Sequence, residues 1–222
     1  MAKKLQVRES TMFTTIMLVL VAAVAISSWI RAHRIGKISY LEHLEDTAVT
    51  IDGTEYKFRD LAFYLAHQEM VIQEQARIYD FKHTGKYWNV HANGSFVRLE
   101  GRDQAMEMAV HDVIFYRMAL EHEIRLTPQE TEYMENQKMD FWNDLEEEGQ
   151  ARLGVSKEEI DEVFYHMALA QKQQEILADE KGVDYREYNT DGSAYQKLLE
   201  EHTYEINEPL WERLNFGKIV VE

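Results

Sequence analysis

The sequence predicts a mainly α-helical protein, with an N-terminal transmembrane helix followed by a multi-helix domain and a small β element. Its 222 residues include only ten Gly and two Pro, and this composition favours helices. Residues 11–30 form an uncharged apolar run, and later segments repeat apolar residues at helical spacing. The β element is expected from a hairpin near residues 49–58 and a C-terminal strand.

The apolar run from Thr11 to Ile30 has the length of a membrane anchor. A helix of this length spans about 30 Å, the thickness of the hydrocarbon core of a bilayer. Basic residues flank both ends, and Trp29 falls where an interfacial aromatic is expected. A cleavable signal peptide is the alternative, because Ala23-Val24-Ala25 resembles a cleavage site. We favour an uncleaved anchor, since the apolar run continues past that point.

This anchor divides the chain into four predicted parts. Residues 1–10 are a cytoplasmic tail, 11–30 the transmembrane anchor, 31–47 a linker and 48–222 a helical domain. Three basic side chains lie on each side of the anchor, and the α-amino group favours a cytoplasmic N-terminus. We therefore expect a single-pass protein of the cell membrane, with its helical domain on the extracytoplasmic side.

Charge and composition exclude several function classes. Residues 41–222 carry 18 basic and 39 acidic side chains, so their net charge is −21. A domain this acidic repels nucleic acid, and no nucleic-acid partner is expected. The absence of Cys excludes disulfides and Cys-ligated metals. The sequence also lacks a Glu-x-x-His motif, a glycine-rich phosphate loop and a nucleophile elbow, so it indicates no catalytic, cofactor-binding or metal-binding residue.

The domain begins with a predicted hairpin and a long helix. Val49 and Ile51 alternate with polar residues ahead of Asp52-Gly53, which is a strong two-residue turn signal. Over residues 59–80 the apolar spacing changes to i, i+3, i+4, which predicts an amphipathic helix. After a connection rich in turn residues, a second helix is predicted over residues 102–125.

The next two helices have the same start signal. The sequence Thr-Pro-Gln-Glu at residues 127–130 supplies an N-cap, a proline at the first helical position and the closing Glu of a capping box. This third helix is expected to end at the acidic run 146–149. Ser-x-x-Glu at residues 156–159 repeats the capping box, and Gly182 marks the end of the fourth helix.

The C-terminal part predicts smaller elements. A helix is expected around residues 193–202 and a short one over 209–214. The segment Lys-Ile-Val-Val at residues 218–221 predicts a terminal strand, which we expect to pair with the hairpin near residues 49–51. That pairing would bring the two ends of the domain together.

The helices carry more large apolar side chains than one face of each can bury. In residues 113–120, 139–145 and 162–170, large residues occupy adjacent positions. Either neighbouring helices cover both faces, or an open apolar groove binds polypeptide through adaptable Met and aromatic side chains. The candidate contacts with such a client or partner are Phe115, Tyr116, Phe141, Trp142, Phe164, Tyr165 and Met167.

The order of these segments resembles the SurA/PrsA-type foldases. Residues 51–65, "IDGTEYKFRDLAFYL", are similar to the opening segment of their helical domain. Residues 103–180 resemble its following helices, through "LTPQE" and "LGVSKEEI". The similarity is one of pattern over about 130 residues. His122-Glu123 departs from the family, which has a Gly-bearing turn there.

The resemblance implies a SurA N-terminal-like helical chaperone domain outside the cytoplasmic membrane. Family members with peptidyl-prolyl isomerase activity carry a parvulin domain as well. Only 41 residues follow Lys181, too few to hold that domain beside the C-terminal elements. No catalytic residue is therefore carried over from the family.

The sequence thus predicts a membrane-anchored, non-catalytic chaperone-like domain that binds unfolded or extended polypeptide, such as a secreted chain. The alternative is a structural or interaction subunit of a membrane-associated complex, in which the same aromatics contact a protein partner. An isomerase that works without the parvulin domain is the third and least favoured hypothesis.

Overall fold

Helices form most of the protein, as predicted. The computed structural model describes residue 17, residues 36–92 and residues 94–221. The helices of these ranges are α1 Ala62–Tyr79, α2 Val97–Glu121, α3 Pro128–Asp144, α4 Glu147–Leu153, α5 Lys157–Lys181, α6 Ser193–Leu199 and α7 Glu208–Trp211. None of the helices in the described part of the chain is long and apolar enough to cross a membrane. The predicted anchor, residues 11–30, lies outside this part except for Met17, and it stays a prediction.

Two small sheets accompany the helices. Strands β1 Thr47–Ile51, β2 Thr54–Lys57 and β5 Tyr204–Ile206 form an antiparallel sheet in the order β2-β1-β5. Strands β3 His91–Ala92 and β4 Ser95–Phe96 form a second, minimal hairpin. The predicted first hairpin is confirmed. Its turn residues Asp52 and Gly53 have φ of 46° and 77°, as a type I′ turn requires.

The predicted C-terminal strand is wrong. The third strand of the sheet is β5, which pairs Ile206 with Val49, whereas residues 218–221 form no strand. Backbone N–H groups of residues 217–221 instead donate to the carboxylate of Glu69 on α1. An N–H group engaged by a carboxylate is not free for a strand ladder, and this explains the difference.

The C-terminal part of the domain nevertheless meets the start of the described chain, through residue 38 of the predicted linker. Ile38 forms an isolated parallel bridge with Leu214. The Ile38 N–H donates to the Arg213 carbonyl at 2.9 Å, and the Asn215 N–H donates to the Ile38 carbonyl at 3.2 Å. The start of the described domain therefore lies against its C-terminal segment.

Both predicted capping boxes are present. The Thr127 hydroxyl accepts from the Glu130 N–H at 3.3 Å, and the Glu130 carboxylate accepts from the Thr127 N–H. Ser156 and Glu159 make the same reciprocal pair at 3.2 and 2.8 Å. Helix α5 ends at Gly182, which has a φ of 65°.

Several helix boundaries differ from the prediction; α2 ends at Glu121 and α6 at Leu199, before the expected ends at 125 and 202. Helix α2 begins at Val97, five residues before the expected start at 102. The acidic run 146–149 ends α3 but also begins α4. Carboxylates are favourable in the first turn of a helix, where backbone N–H groups are unpaired, so an acidic run can start a helix as well as end one.

Aromatic side chains join three helices in the core. Phe63 of α1 lies 4.8 Å from Phe164 of α5 and 5.2 Å from Phe141 of α3, measured between ring centroids. Phe141 and Phe164 are 5.7 Å apart. Tilted and edge-to-face arrangements of this kind add about 1 kcal/mol per pair beyond the apolar area that they bury. This cluster fixes α3 and α5 against α1.

Glu69 is the main polar group of the core. Its carboxylate is buried and accepts N–H groups of five successive residues, at 2.5 Å from Gly217, 2.8 Å from Val220 and 3.0 to 3.3 Å from the other three. Burial raises the pKa of Glu69, and the backbone donors partly offset that rise. Gly217, with a φ of 91°, lies so close to Trp88 that a Cβ atom would be 2.9 Å from its ring.

We expect Glu69→Gln to lower the free energy of unfolding by about 2 to 3 kcal/mol, because the amide nitrogen would face N–H donors and lose charge-assisted hydrogen bonds. Urea denaturation followed by tryptophan fluorescence measures the change. Glu74→Gln, on an exposed face of the same helix, is the control and should stay within about 0.5 kcal/mol of wild type. Equal stability of the two variants would contradict the structural role of Glu69.

Candidate functional site

A groove of about 360 Å³ lies between the β1–β2 hairpin, the 3-10 helix Phe58–Leu61 and helices α2 and α5. We call it the hairpin groove. Its lining combines aliphatic side chains with three tyrosines and a histidine. The residues of this apolar and aromatic part are Val49, Ile51, Leu61, Ala109, Val113, Val163, Tyr56, Tyr64, Tyr116 and His166.

An open strand edge borders the hairpin groove. Strand β2 is the last strand of its sheet, and no other strand of the described chain pairs with its outer side. The backbone N–H and C=O groups of such an edge can pair with an extended chain. The groove beside the edge can then receive side chains of that chain.

The polar lining of the groove is anionic. Five carboxylates and one guanidinium, that of Arg59, line it. Arg59 is already paired, since its Nε lies 3.0 Å from Glu159 and a second nitrogen contacts Glu45. The lining therefore favours a cationic group. The five carboxylates belong to Glu55, Asp60, Asp112, Glu159 and Glu162.

Arg117 and Asp52 hold the hairpin against α2. Arg117 donates to the Ile51 carbonyl at 3.2 Å, and its guanidinium lies 5.7 Å from the centre of the Tyr56 ring. Asp52 accepts from the Thr203 N–H at 2.8 Å and contacts His202 at 2.8 Å. The Thr203 N–H, followed by His202, holds the pKa of Asp52 below its ordinary value. The groove wall is thus tied to both α2 and β5.

The floor of the groove contains a hydrogen-bonded carboxylate. Asp112 accepts from the Tyr64 hydroxyl at 3.1 Å and lies 2.9 Å from His111 Nδ1. The other nitrogen of His111 donates to the Tyr188 carbonyl at 2.9 Å. Burial and the Asp112 charge raise the pKa of Tyr64. Asp112 is therefore oriented by its neighbours, and Tyr64 stays a neutral donor at physiological pH.

The seven residues that the helix pattern predicted as contacts fall into a buried group and a surface group. Phe115, Phe141 and Phe164 are buried in the core, so neighbouring helices cover them and no surface is left for a partner. This corrects their interpretation as contacts. Large side chains at adjacent helix positions indicated more apolar surface than one helix face can bury. The pattern could not show which neighbouring helices cover that surface.

The other four residues reach the surface. Tyr116 lies in the hairpin groove, where its ring stacks on His166 with centroids 3.9 Å apart. Trp142 donates to Asp161 at 3.1 Å, and Tyr165 is 45% exposed. Met167 is half-buried. Only Tyr116 of the seven lines the groove.

Sequence reasoning missed the rest of the groove. Tyr56 falls within the predicted hairpin near residues 49–58, but the hairpin pattern does not indicate that its ring lines a groove. The carboxylates come from the hairpin with its following 3-10 helix, from α2 and from α5, which are far apart in sequence. No local motif brings them together.

The described ranges contain no group of three or more His, Asp or Glu side chains that could hold a metal ion. Comparison of the chain with protein-family models, with curated proteins and with solved structures finds no match. The resemblance to SurA/PrsA-type foldases therefore stays a prediction, and the groove geometry carries the functional argument.

We expect His166 to titrate below its ordinary pKa of 6.5, because burial disfavours the charged ring. The folded protein then binds fewer protons at His166 than the unfolded chain. This contribution to stability is full above about pH 6.5 and is lost as the pH falls through the lowered pKa. NMR titration of labelled histidines measures the pKa. His166→Phe, which keeps a ring against Tyr116, should lose less stability than wild type on acidification. A His166 pKa at or above 6.5 would contradict the burial.

Proposed function

We propose that the chain is a membrane-anchored, extracytoplasmic chaperone-like protein that binds extended polypeptide without catalysis. The carrying observation is the hairpin groove: an open strand edge beside an apolar groove with an anionic rim. The resemblance of the sequence to the foldase family supports the same function. The membrane location rests on the apolar run 11–30.

Strand addition is the binding mode that this geometry favours. The backbone of the client pairs with the outer side of β2, and this interaction does not depend on client sequence. Alternate side chains of an extended chain point to the same face, so every second client residue enters the groove. Apolar residues contact the aliphatic and tyrosine lining, and Lys or Arg residues meet the carboxylates.

The carboxylates that line the hairpin groove predict a preference for cationic clients. We expect the full chain in detergent to bind an extended peptide of alternating Val and Lys more tightly than one of alternating Val and Glu. Glu55→Gln combined with Glu162→Gln should weaken binding of the Lys peptide by about tenfold, because each exposed ion pair contributes up to about 1 kcal/mol. Fluorescence anisotropy of labelled peptides measures both effects.

A matched double variant controls for the overall loss of charge. Glu201→Gln combined with Glu205→Gln removes two exposed carboxylates beside the opposite edge of the sheet. This variant should bind the Lys peptide like wild type. Equal weakening in both double variants would show that net charge, and not the groove, attracts the peptide.

A second candidate function is that of an interaction subunit, and an exposed apolar tip favours it. Ile78, Tyr79 and Phe81, at the end of α1, are 79%, 61% and 80% exposed. Tyr79 also contacts Tyr87, with ring centroids 5.3 Å apart. Adjacent exposed side chains of this size are typical of a protein contact surface.

For the interaction function, we expect self-association through the tip. Ile78→Ser combined with Phe81→Ser should convert an associated form of the full chain in detergent to a monomer, because it removes most of the tip's apolar area. Sedimentation analysis measures the mass. Tyr133→Ser, at a 62% exposed tyrosine on α3, is the control. A monomeric wild-type protein would rule out a second copy as the partner.

A further inference from the structure

The end of the domain where the described chain begins has the opposite charge to the hairpin groove. A cavity of about 200 Å³ lies there, lined by residues 37–41, Arg152, Asn215, Lys218 and Ile219. Its lining includes three cationic side chains, Lys37, Arg152 and Lys218, and no acidic one. We call this surface the basic end. Its charge contrasts with the net −21 of residues 41–222.

Two separate attachments bring these cations together. Glu69 binds the backbone around Lys218, and the Ile38–Leu214 bridge holds the segment that follows Lys37. Arg213 adds a third contact, donating to the Gly36 carbonyl at 2.8 Å. The basic end is therefore built by the fold, from residues about 180 positions apart in the sequence.

Acidic residues offset only part of this charge. Arg102 pairs with Asp103 at 2.8 Å, and Arg152 lies 3.9 Å from Glu148. Within residues 36–92 and 94–221, Lys37, Arg98 and Lys218 make no ion pair. Lys37 and Lys218, which both line the cavity, are available to an external anion.

Like charges crowd around Lys37. Partial burial lowers its pKa, and the neighbouring Arg98 and Arg102 lower it further. Repulsion of this kind disfavours the charged lysine, and an anion bound between the cations would relieve it. The crowding thus points to an anionic ligand at the same place as the cavity.

We propose that the basic end binds phosphate groups of anionic phospholipids and holds this end of the domain against the membrane surface. The short connection between the basic end and the predicted anchor favours a lipid phosphate as this ligand. Gly36 is six residues beyond the predicted anchor, and Arg31 and Arg34 lie between them in the sequence. A six-residue connection reaches at most about 20 Å, so the anchor keeps the basic end near the headgroups.

Screening lets an acidic domain bind an anionic surface by one end. At physiological ionic strength, charges more than about 8 Å from the headgroups are largely screened. The carboxylates of the hairpin groove therefore contribute repulsion only where they approach the membrane that closely. Each cation near an anionic surface strengthens binding by about fivefold. This proposal depends on the predicted anchor but not on polypeptide binding.

The test measures lysine acylation by mass spectrometry, with the full chain in nanodiscs. In discs containing phosphatidylglycerol, Lys37 and Lys218 should react at least about fivefold more slowly than in phosphatidylcholine discs. The exposed Lys181 and Lys197 should react equally in both. Lys218→Gln should restore much of the Lys37 reactivity, whereas Lys181→Gln should not. Melting curves of both variants check that the fold is intact.

Two results would overturn the proposal. The first is equal reactivity of Lys37 and Lys218 in neutral and anionic discs. The second is full protection of both lysines by millimolar inorganic phosphate in phosphatidylcholine discs, with no further effect of phosphatidylglycerol. That result would identify a soluble phosphate as the ligand and exclude the lipid.

Discussion

The buried carboxylate of Glu69 organises one end of this protein. A carboxylate removed from water costs several kcal/mol unless hydrogen bonds replace its hydration. Here the N–H groups of five successive residues, 217–221, replace it. The C-terminal segment is therefore fixed along α1, which places Gly217 against Trp88 and Lys218 beside the cavity that Lys37 also lines. Without this interaction the basic end would lose the attachment that positions Lys218.

The charges of the domain are separated in space in a way that net charge does not reveal. Carboxylates line the hairpin groove, and cationic side chains gather where the described chain begins. The groove carries the proposed binding of extended polypeptide, and the basic end carries the proposed contact with lipid. A single domain could thus hold a client on one surface while another surface stays on the membrane.

Local signals in the sequence predicted much of the fold. The capping boxes at Thr127 and Ser156 and the Asp52-Gly53 turn depend on residues within a few positions of one another, and all three are present. The conformation of residues 218–221 depends on Glu69, which lies about 150 positions away in the sequence. An apolar run alone could not show that its N–H groups bind a carboxylate. The groove also depends on residues far apart in the sequence. For this reason Tyr116 is the only predicted contact residue that lines it.

The proposed function requires that extended polypeptide occupies the hairpin groove. Hydrogen exchange of the full chain, with and without a saturating extended Val/Lys peptide, tests it most directly. Strand addition to β2 predicts slower exchange at the amides of residues 54–57 and at residues 159–166 of α5, with no change at β5. Slower exchange at residues 78–81 alone, or no change anywhere on binding, would contradict it.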